Sequence, residues 1–471
     1  MTNVGGKWTT QDRKVPGAYI NVISSTATTQ ALSARGIVAF ATNADWGKEQ
    51  EIISLTAQDF QRNARDIFGY SATSPQMKGI ADIFKHARQL LFYRLNPKSG
   101  GQRAKVTFEP ADSSEPELVV ATAKTTGIRG NDLAVAIEYN INTPDVPTAE
   151  NPPLYDVTTF LDGLSVDIQT QISAMDQLKE NAFLTWNESM SIMELIAAAS
   201  GGATAPSTAV DIESALSALE SHSYHVFGTD VEIPTAVGDY IVSYVKRMRD
   251  DVGMKMQAVI YAPVGVDFKT NHEGIIAVQN GALVDPDTGK TEDGFGRSAP
   301  VFWVAGAAAA AAVNESLTGS IYTGAFPIEA DYTLDILETF IDNGKFAFYR
   351  SGDEIEVLRD INSLTTFTET KNEDFSNNQT IRILDQLAVE TALLFNNTYK
   401  GAVPNDEIGR ISFKSGINSI YEQMQDLRAI QNHSIDNLVV GEGMKRNAVY
   451  LDSQVWPVNA MEFLYANIRV I

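Results

Sequence analysis

Gly36-Ile-Val-Ala-Phe-Ala41 and Leu90-Leu-Phe-Tyr-Arg-Leu95 decide the fold. Both are almost wholly apolar, the pattern of a strand covered on its two faces rather than one. Between them, Met77, Ile80, Phe84, Ala87 and Leu91 recur at steps of three and four residues, which predicts one apolar helical stripe. Strand, helix, strand is a βαβ unit, so a parallel sheet follows. The stretch before Asn96 is too short to bury a core of its own, so its partner must lie further along the chain.

That partner returns after Gly201-Gly202. Thr208 and Asp211 form a capping box opening a helix with Ile212, Ala215, Leu216 and Leu219 inward, and Tyr224-His-Val-Phe227 reads as the next strand. A further helix carries Tyr240, Ile241, Tyr244, Val245 and Met248, and a strand spans Lys255 to Tyr261. From Asn96 to about Met190 the texture differs. Ala104/Val106/Phe108, Leu133/Val135/Ile137/Tyr139 and Leu164/Val166/Ile168 alternate between breaks of Pro, Gly, Asp and Asn, as a small all-β module does. The expected fold is therefore α/β and α+β multidomain: a discontinuous α/β domain over 27–95 and 191–344, an all-β domain inserted at 96–190, and a C-terminal α+β region over 345–471.

In that last region two amphipathic helices are expected. One presents Leu384, Leu387, Ala388, Leu394 and Phe395, the other Ile417, Ile420, Tyr421, Met424 and Leu427. Strands are expected at Asn437 to Val440, Ala448 to Leu451 and Met461 to Ile471, the last with Leu464, Ala466, Ile468 and Val470 on one face. At the other end, residues 1–26 read as an arm whose strand includes Tyr19, Ile20 and Val22 behind Pro16. Two strands at the chain ends are two open edges, which need partners.

With 471 residues the chain has room for two or three domains, and it contains no cysteine, so no disulfide, thiolate metal site or cysteine nucleophile is available. Its net charge of -23 repels phosphate backbones, which argues against nucleic acid. The start lacks the apolar core of a signal peptide and no run is long enough to span a bilayer, so we expect a cytoplasmic chain that does not insert in membranes.

Catalytic and metal motifs fail one by one. Asp287-Thr-Gly289 resembles the aspartic-protease tripeptide but sits among turn formers, which makes it a solvent loop. Asp285 and Asp287 begin like a calcium loop, yet Lys290 and Gly296 stand where Gly and Glu are required. His272-Glu273 opens a zincin-like motif, but Ile276 holds the second histidine position. His222 and His225 have no third ligand nearby, and Gly201-Gly202 lacks the Lys-Ser/Thr of a phosphate loop. The run Ala307 to Ala312 reads as a helix packed close against the sheet. No catalytic residue, metal ligand or cofactor is assigned, and an α/β hydrolase-like enzyme with an unrecognised site is the alternative reading.

The chain resembles the contractile tail sheath proteins of myophages and phage-tail-like bacteriocins. Pro16-Gly-Ala-Tyr-Ile-Asn-Val22, Arg35-Gly-Ile-Val-Ala-Phe40 and Asp45-Trp-Gly47 are similar to the family's opening arm and first strand, and Gly127-Ile-Arg-Gly-Asn-Asp-Leu133 to a loop of its inserted domain. Leu184-Thr-Trp-Asn187, Gly201-Gly-Ala-Thr204, Val278-Gln-Asn-Gly281, Ala305-Gly-Ala307, Asn314-Glu-Ser-Leu-Thr318 and Asp360-Ile-Asn-Ser-Leu364 follow in the family's order. The resemblance implies a subunit that stacks as hexameric rings around a tail tube, meets baseplate and tail terminator proteins, and contracts to drive the tube into a cell envelope. It implies assembly in the bacterial host cytoplasm and a place in a virion or tail-like particle after release. Strand addition to neighbours is expected through Tyr19, Ile20, Val22, Leu464, Ile468 and Val470. Tube contact is expected at Lys414 and Arg428, because Ser376 to Ile471 holds eight basic against ten acidic residues while the strong acidity lies elsewhere.

Overall fold

The computed structural model describes residues 32–110, 117–232, 234–266 and 270–470. The arm residues Tyr19, Ile20 and Val22 lie outside the described residues.

The first apolar run becomes β1 (Ile37–Thr42) and the second β3 (Gln89–Arg94), paired in parallel from Ile37↔Gln89 to Thr42↔Arg94. The connection between them holds more than one helix. It contains strand β2 (Ile52–Thr56), antiparallel to β3, then helices α1 (Ala57–Phe68) and α2 (Lys78–Phe84). The expected stripe ends at Phe84: Ala87 lies in the turn beyond α2, and Leu91 belongs to β3. A run of apolar residues at helical steps crossed a helix–strand boundary, because consecutive buried elements share the same composition. β2 and α1 carried a readable signal, the capping box of Thr56 and Asp59, in which the Asp59 N–H donates to Thr56 Oγ1 at 3.2 Å and the Thr56 N–H to Asp59 Oδ2 at 2.9 Å.

A separate antiparallel sheet follows, built from β4 (Lys105–Phe108), β5 (Leu118–Ala123), β6 (Leu133–Tyr139), β7 (Tyr155–Leu161), β8 (Leu164–Ile172), β9 (Leu184–Trp186) and β10 (Leu195–Ser200), in the order β8-β7-β6-β10-β4-β5-β9. Its central strand β10 lies past residue 190, so the sheet closes about ten residues later than its alternating pattern suggested. The small, partly polar Leu-Ile-Ala-Ala-Ala-Ser sequence of β10 does not alternate sharply.

The chain then rejoins the first sheet. Helix α3 (Ala209–Leu219) is opened by the Thr208/Asp211 capping box, and strands β11 (Val226–Thr229), β12 (Gln257–Tyr261), β13 (Ile275–Val278) and β14 (Lys345–Phe346) add in parallel, with α4 (Thr235–Arg247), α5 (Pro300–Ala310) and α6 (Leu334–Asp342) among them. The order is β14-β13-β12-β11-β1-β3-β2, parallel except at the β2 edge. Alternate residues serve alternate faces. Val38, Phe40, Leu90, Phe92, Val259 and Ile276 pack with α1, α2 and α5, while Ala39, Ala41, Leu91, Phe227 and Ile260 pack with α3 and α4. This double covering is why the strands are continuously apolar. The alanine run is helix α5, buried along its length and close to its neighbours: a Cβ on Gly306 would stand 2.6 Å from the Ile83 carbonyl oxygen.

The remaining chain forms hairpins of β15 (Phe348–Ser351) with β16 (Glu354–Val357) and of β18 (Leu438–Glu442) with β19 (Val449–Ser453), the pair β17 (Ile430–Gln431) with β20 (Trp456–Pro457), and helices α7 (Asn378–Leu394) and α8 (Glu407–Asp426). α8 buries Ile417, Ile420, Tyr421 and Met424 as expected, but Leu427 is exposed past its end. α7 departs further from expectation, because Ala388 is exposed and the buried face holds Arg382, Asp385, Gln386 and Glu390 beside Ile381, Ile383 and Leu387.

Candidate functional site: the anchors of the chain ends

Gln386 and Glu390, with Gln379 and Thr380 at the start of the same helix, hold both ends of the described chain. Near the first described residue, the Ser33 N–H and Oγ both donate to Glu390 Oε1 at 2.6 Å, and Gln386 Nε2 donates to the Ser33 carbonyl at 3.2 Å and to Glu390 Oε1 at 2.7 Å. Where the chain ends, Gln379 Nε2 donates to the Val458 carbonyl at 3.1 Å, the Ala460 N–H to Gln379 Oε1 at 3.0 Å, and Thr380 Oγ1 meets Asn459 Oδ1 at 3.0 Å. A last clamp closes on Glu462, which accepts from Thr318 Oγ1 at 2.8 Å and Arg359 Nε at 3.1 Å, and the Arg359 guanidinium lies 5.6 Å from the Phe463 ring centroid.

Beyond that clamp the chain leaves the body. Leu464, Ile468 and Val470 are 89%, 91% and 97% exposed, and residues 458–470 form no strand. The expected strand at Met461 to Ile471 is therefore not formed among the described residues. Its alternation has no sheet to face among the described residues: a strand needs ladder partners for its N–H and C=O groups, and none of the described residues supplies one to Met461–Val470. What the structure brings together is the pair of tethers, Ser33 and Glu462, on one helix and its surroundings.

α7 is in turn fixed to the main sheet by charge. Arg249, just past α4, makes a two-pronged contact with Asp385, 2.8 Å to each oxygen, and donates to the Met256 carbonyl. Arg382 Nη2 donates at 2.6 Å to Asp360 Oδ2, and Asp360 also accepts from the Leu317 N–H and Asn378 Nδ2 at 3.0 Å each. Such pairs must be buried together, since either charge alone would be costly there. Two of the segments quoted from the sequence meet here, Asp360-Ile-Asn-Ser-Leu364 and Asn314-Glu-Ser-Leu-Thr318. Ser363 Oγ donates to the His272 carbonyl, and Asn362 Nδ2 to that of Phe375. Elsewhere Asn280, in Val278-Gln-Asn-Gly281, bonds the backbone of Glu329 and Phe348. In Gly127-Ile-Arg-Gly-Asn-Asp-Leu133, Arg129 ties the antiparallel sheet to the Gly69 carbonyl at the end of α1, and Gly127 (φ +143) has no room for a Cβ against the Asp45 carbonyl.

The two residues expected to contact the tube do not share one surface of one helix. Lys414 is half-buried on α8, but Arg428 follows the helix end in a left-handed turn at φ +61, its N–H on the Gln425 carbonyl. Sequence periodicity carried the helix two residues too far.

His272 and Glu273 are joined by Asp250, their potential ligand atoms all within 4.8 Å. The histidine tautomer argues against a cation. His272 Nδ1 accepts the Gly274 N–H at 2.9 Å, so the ring's proton sits on Nε2, facing Glu273 Oε2 at 3.4 Å. Burial holds this imidazole down to about 4, against the pull of Glu273, and Lys371 Nζ occupies the other Glu273 oxygen at 2.5 Å. Asp285 Oδ1 accepts the N–H groups of Asp287 and Thr288 in an exposed turn closed by Gly289 at φ +66.

Comparison with known proteins decides what this architecture belongs to. Three family descriptions match in chain order: "Tail sheath protein Gp18 domain III N-terminal region" over residues 35–95, "Phage tail sheath protein central domain" over 205–363 and "Phage tail sheath C-terminal domain" over 370–471. The crystal structure of a sheath tail protein from Desulfitobacterium hafniense superposes with a TM-score of 0.78 at 30% identity, covering 96% of this chain and 100% of that one. This chain belongs to the contractile phage tail sheath family. A sheath tail protein from Listeria innocua is similar at 26% identity and a TM-score of 0.72, over 93% of this chain and 95% of its own. The phage-like element PBSX protein XkdK of Bacillus subtilis (strain 168) is 29% identical over 99% of both chains. Family membership gives the chain a structural role in the tail sheath, as a component of a phage or phage-tail-like particle.

Proposed function

We propose that this sheath chain polymerises as hexameric rings stacked around a tail tube, and that its two terminal segments pair as added strands with neighbouring subunits. The observation that carries the reading is the C-terminal segment, which is clamped at Glu462 and then runs on apolar and exposed through Leu464, Ile468 and Val470. Apolar residues at this exposure lack a covering surface, and backbone without a ladder lacks hydrogen-bond partners. A neighbouring subunit supplies both. The arm with Tyr19, Ile20 and Val22 plays the same part at the other end. Strand addition demands little of side-chain identity and survives rotation of the bodies it joins. Contraction is then release of a metastable packing, summed over subunits, and needs no fuel site. The main-sheet domain, the insert from residue 96 through β10 and the region after β14 act as separate domains, with the insert outermost. Lys414 and Arg428 face the tube, baseplate and terminator proteins cap the stack, and assembly takes place in the host cytoplasm.

Proline substitution tests this. Ile20→Pro and Ile468→Pro each remove a backbone donor, about 1 kcal/mol for each hydrogen bond and repeated at every link. In a monomer, a change so near a chain end does little. The proline variants should sediment as folded monomers with near-native circular dichroism, while Ile20→Ala and Ile468→Ala still form tubes. Proline variants that assemble as well as wild type would sink the linking-arm reading.

A further inference from the structure

The main sheet reverses its winding between β1 and β11. From β1 the order runs through β3 in one direction and through β11, β12, β13 and β14 in the other, so the two halves part at the carboxyl ends of β1 and β11. In doubly wound sheets that divergence leaves a crevice where small ligands bind. Here the crevice exists: a cavity of about 450 Å³ opens at Thr42 and Asp230, the residues at and just past the ends of these two strands. That volume lies within the range of small-molecule sites. The cavity is bounded by aromatic rings, among them Phe68, Phe92 and Phe302, and by the acidic Asp45 and Glu232. Lys290 and Asp293 line it from the 290–296 loop, Asp293 being paired with Lys78 of α2.

One polar atom in it lacks a partner. Asp230 Oδ1 is buried, and among the described residues nothing donates a hydrogen bond to it. A buried acceptor left in that state costs free energy unless a ligand completes it. We propose that this crevice is a binding site for a small organic amine, whose ammonium group meets Asp230 and whose apolar body lies against the phenyl rings. The aromatic walls suit an apolar body, and the ammonium group gains from the carboxylate. Burial raises the Asp230 carboxyl to about 6, with Thr42 and Lys290 pulling the other way. The carboxylate is therefore present at pH 7.5 and largely lost at pH 5.

The probe is 2-phenylethylamine, titrated into the full-length chain by calorimetry and saturation-transfer NMR, with 2-phenylethanol as its neutral counterpart. Wild type should bind the amine at least tenfold more tightly than the alcohol at pH 7.5, and that preference should shrink at pH 5. Asp230→Asn should remove the preference and leave the weak, shared binding of the ring. Because the amide takes away a charge that burial disfavours more than Thr42 and Lys290 support it, this variant should melt no lower than wild type, so lost binding will not reflect misfolding. Equal affinity for amine and alcohol in wild type overturns the proposal, as does an amine preference that survives Asp230→Asn. Failure of both probes to bind at millimolar concentration overturns it as well.

Discussion

Removing one charge from the Asp360–Arg382 pair should loosen α7 and, with it, both chain ends. Asp360 is 0% and Arg382 1% exposed, so neither can turn to water when its partner is removed. Asp360→Asn keeps the shape, but its carboxamide can no longer accept from all three present donors, Leu317 N–H, Asn378 Nδ2 and Arg382 Nη2. It also strands a guanidinium whose Nε and Nη1 already have no partner among the described residues. Breaking a buried pair in this way costs about 3–5 kcal/mol. Arg382→Met leaves Asp360 with two neutral donors and no counter-charge, and should fall at the lower end of the same range. The double variant removes the uncompensated charge, so it should recover about 2 kcal/mol relative to the sum of the singles. Hydrogen exchange resolves the effect locally, which matters in a chain of several units where one global unfolding energy is poorly defined. Because each 1.4 kcal/mol is about tenfold, α7 amides that exchange by local opening should accelerate by over a hundredfold in Asp360→Asn, and much less in the double variant. Protection unchanged to within threefold in Asp360→Asn, or single effects that add, would refute the argument that this pair holds α7 in place.

Gly306→Ala should destabilise by about 1–3 kcal/mol despite alanine's better helix propensity, because the added Cβ meets the Ile83 backbone, which has little freedom to move; urea melts of the purified chain measure it. His225 accepts the Ile37 N–H on Nδ1, and burial first, then Arg35 and Arg88, push its imidazole down to about 3, so the folded ring stays neutral where the unfolded one takes a proton. Stability should therefore fall as pH drops from about 6 toward 3, by up to about 1.4 kcal/mol per pH unit from this group, and His225→Gln should flatten that slope in thermal melts. Lys414→Glu with Arg428→Glu should weaken sheath-on-tube assembly in pelleting assays at low salt and less so at high salt, where such contacts are screened.

The main sheet was legible because its strands are buried on both faces, and that condition writes itself as Ile37–Ala41 and Leu90–Tyr93 without interruption. The α3 capping box was legible because its two side chains act within one turn. The helix α7 was legible in its apolar residues but its buried polar face was not, since periodicity counts only apolar residues. A face whose burial depends on Arg249, Asp360 and Ser33, distant in sequence, looks solvent-exposed until the chain has folded. The short segments that resembled the sheath family nonetheless pointed there. Asp360, Asn362, Ser363, Asn280 and Arg129 are the polar residues that tie one part of the molecule to another. Composition alone would have placed them on loops, and it was their order along the chain that carried the information.

A polar anchor suits the mechanics proposed for the terminal segments. An apolar interface tolerates small slips, because dispersion and burial change little when one ridge slides over another. A buried charge pair is satisfied in one register and costly in the next, so it fixes position even where it adds little net stability. On α7 the Ser33 tether, the Gln379 and Thr380 contacts to the departing C-terminal segment, and the Asp385–Arg249 link all lie within a few helical turns. A pull on the N-terminal segment reaches that helix at Ser33, a pull on the C-terminal segment reaches the Glu462 clamp and then the helix at Ala460 and Asn459, and through Arg249 and Asp360 both pass to the main sheet and to the loop of residues 314–318. In a polymer joined end to end by added strands, each subunit would thus transmit force through a rigid, register-locked element. The exposed Leu464 to Val470 stretch is left free to pair, and it can turn relative to the body without disturbing the core that the double-faced sheet provides.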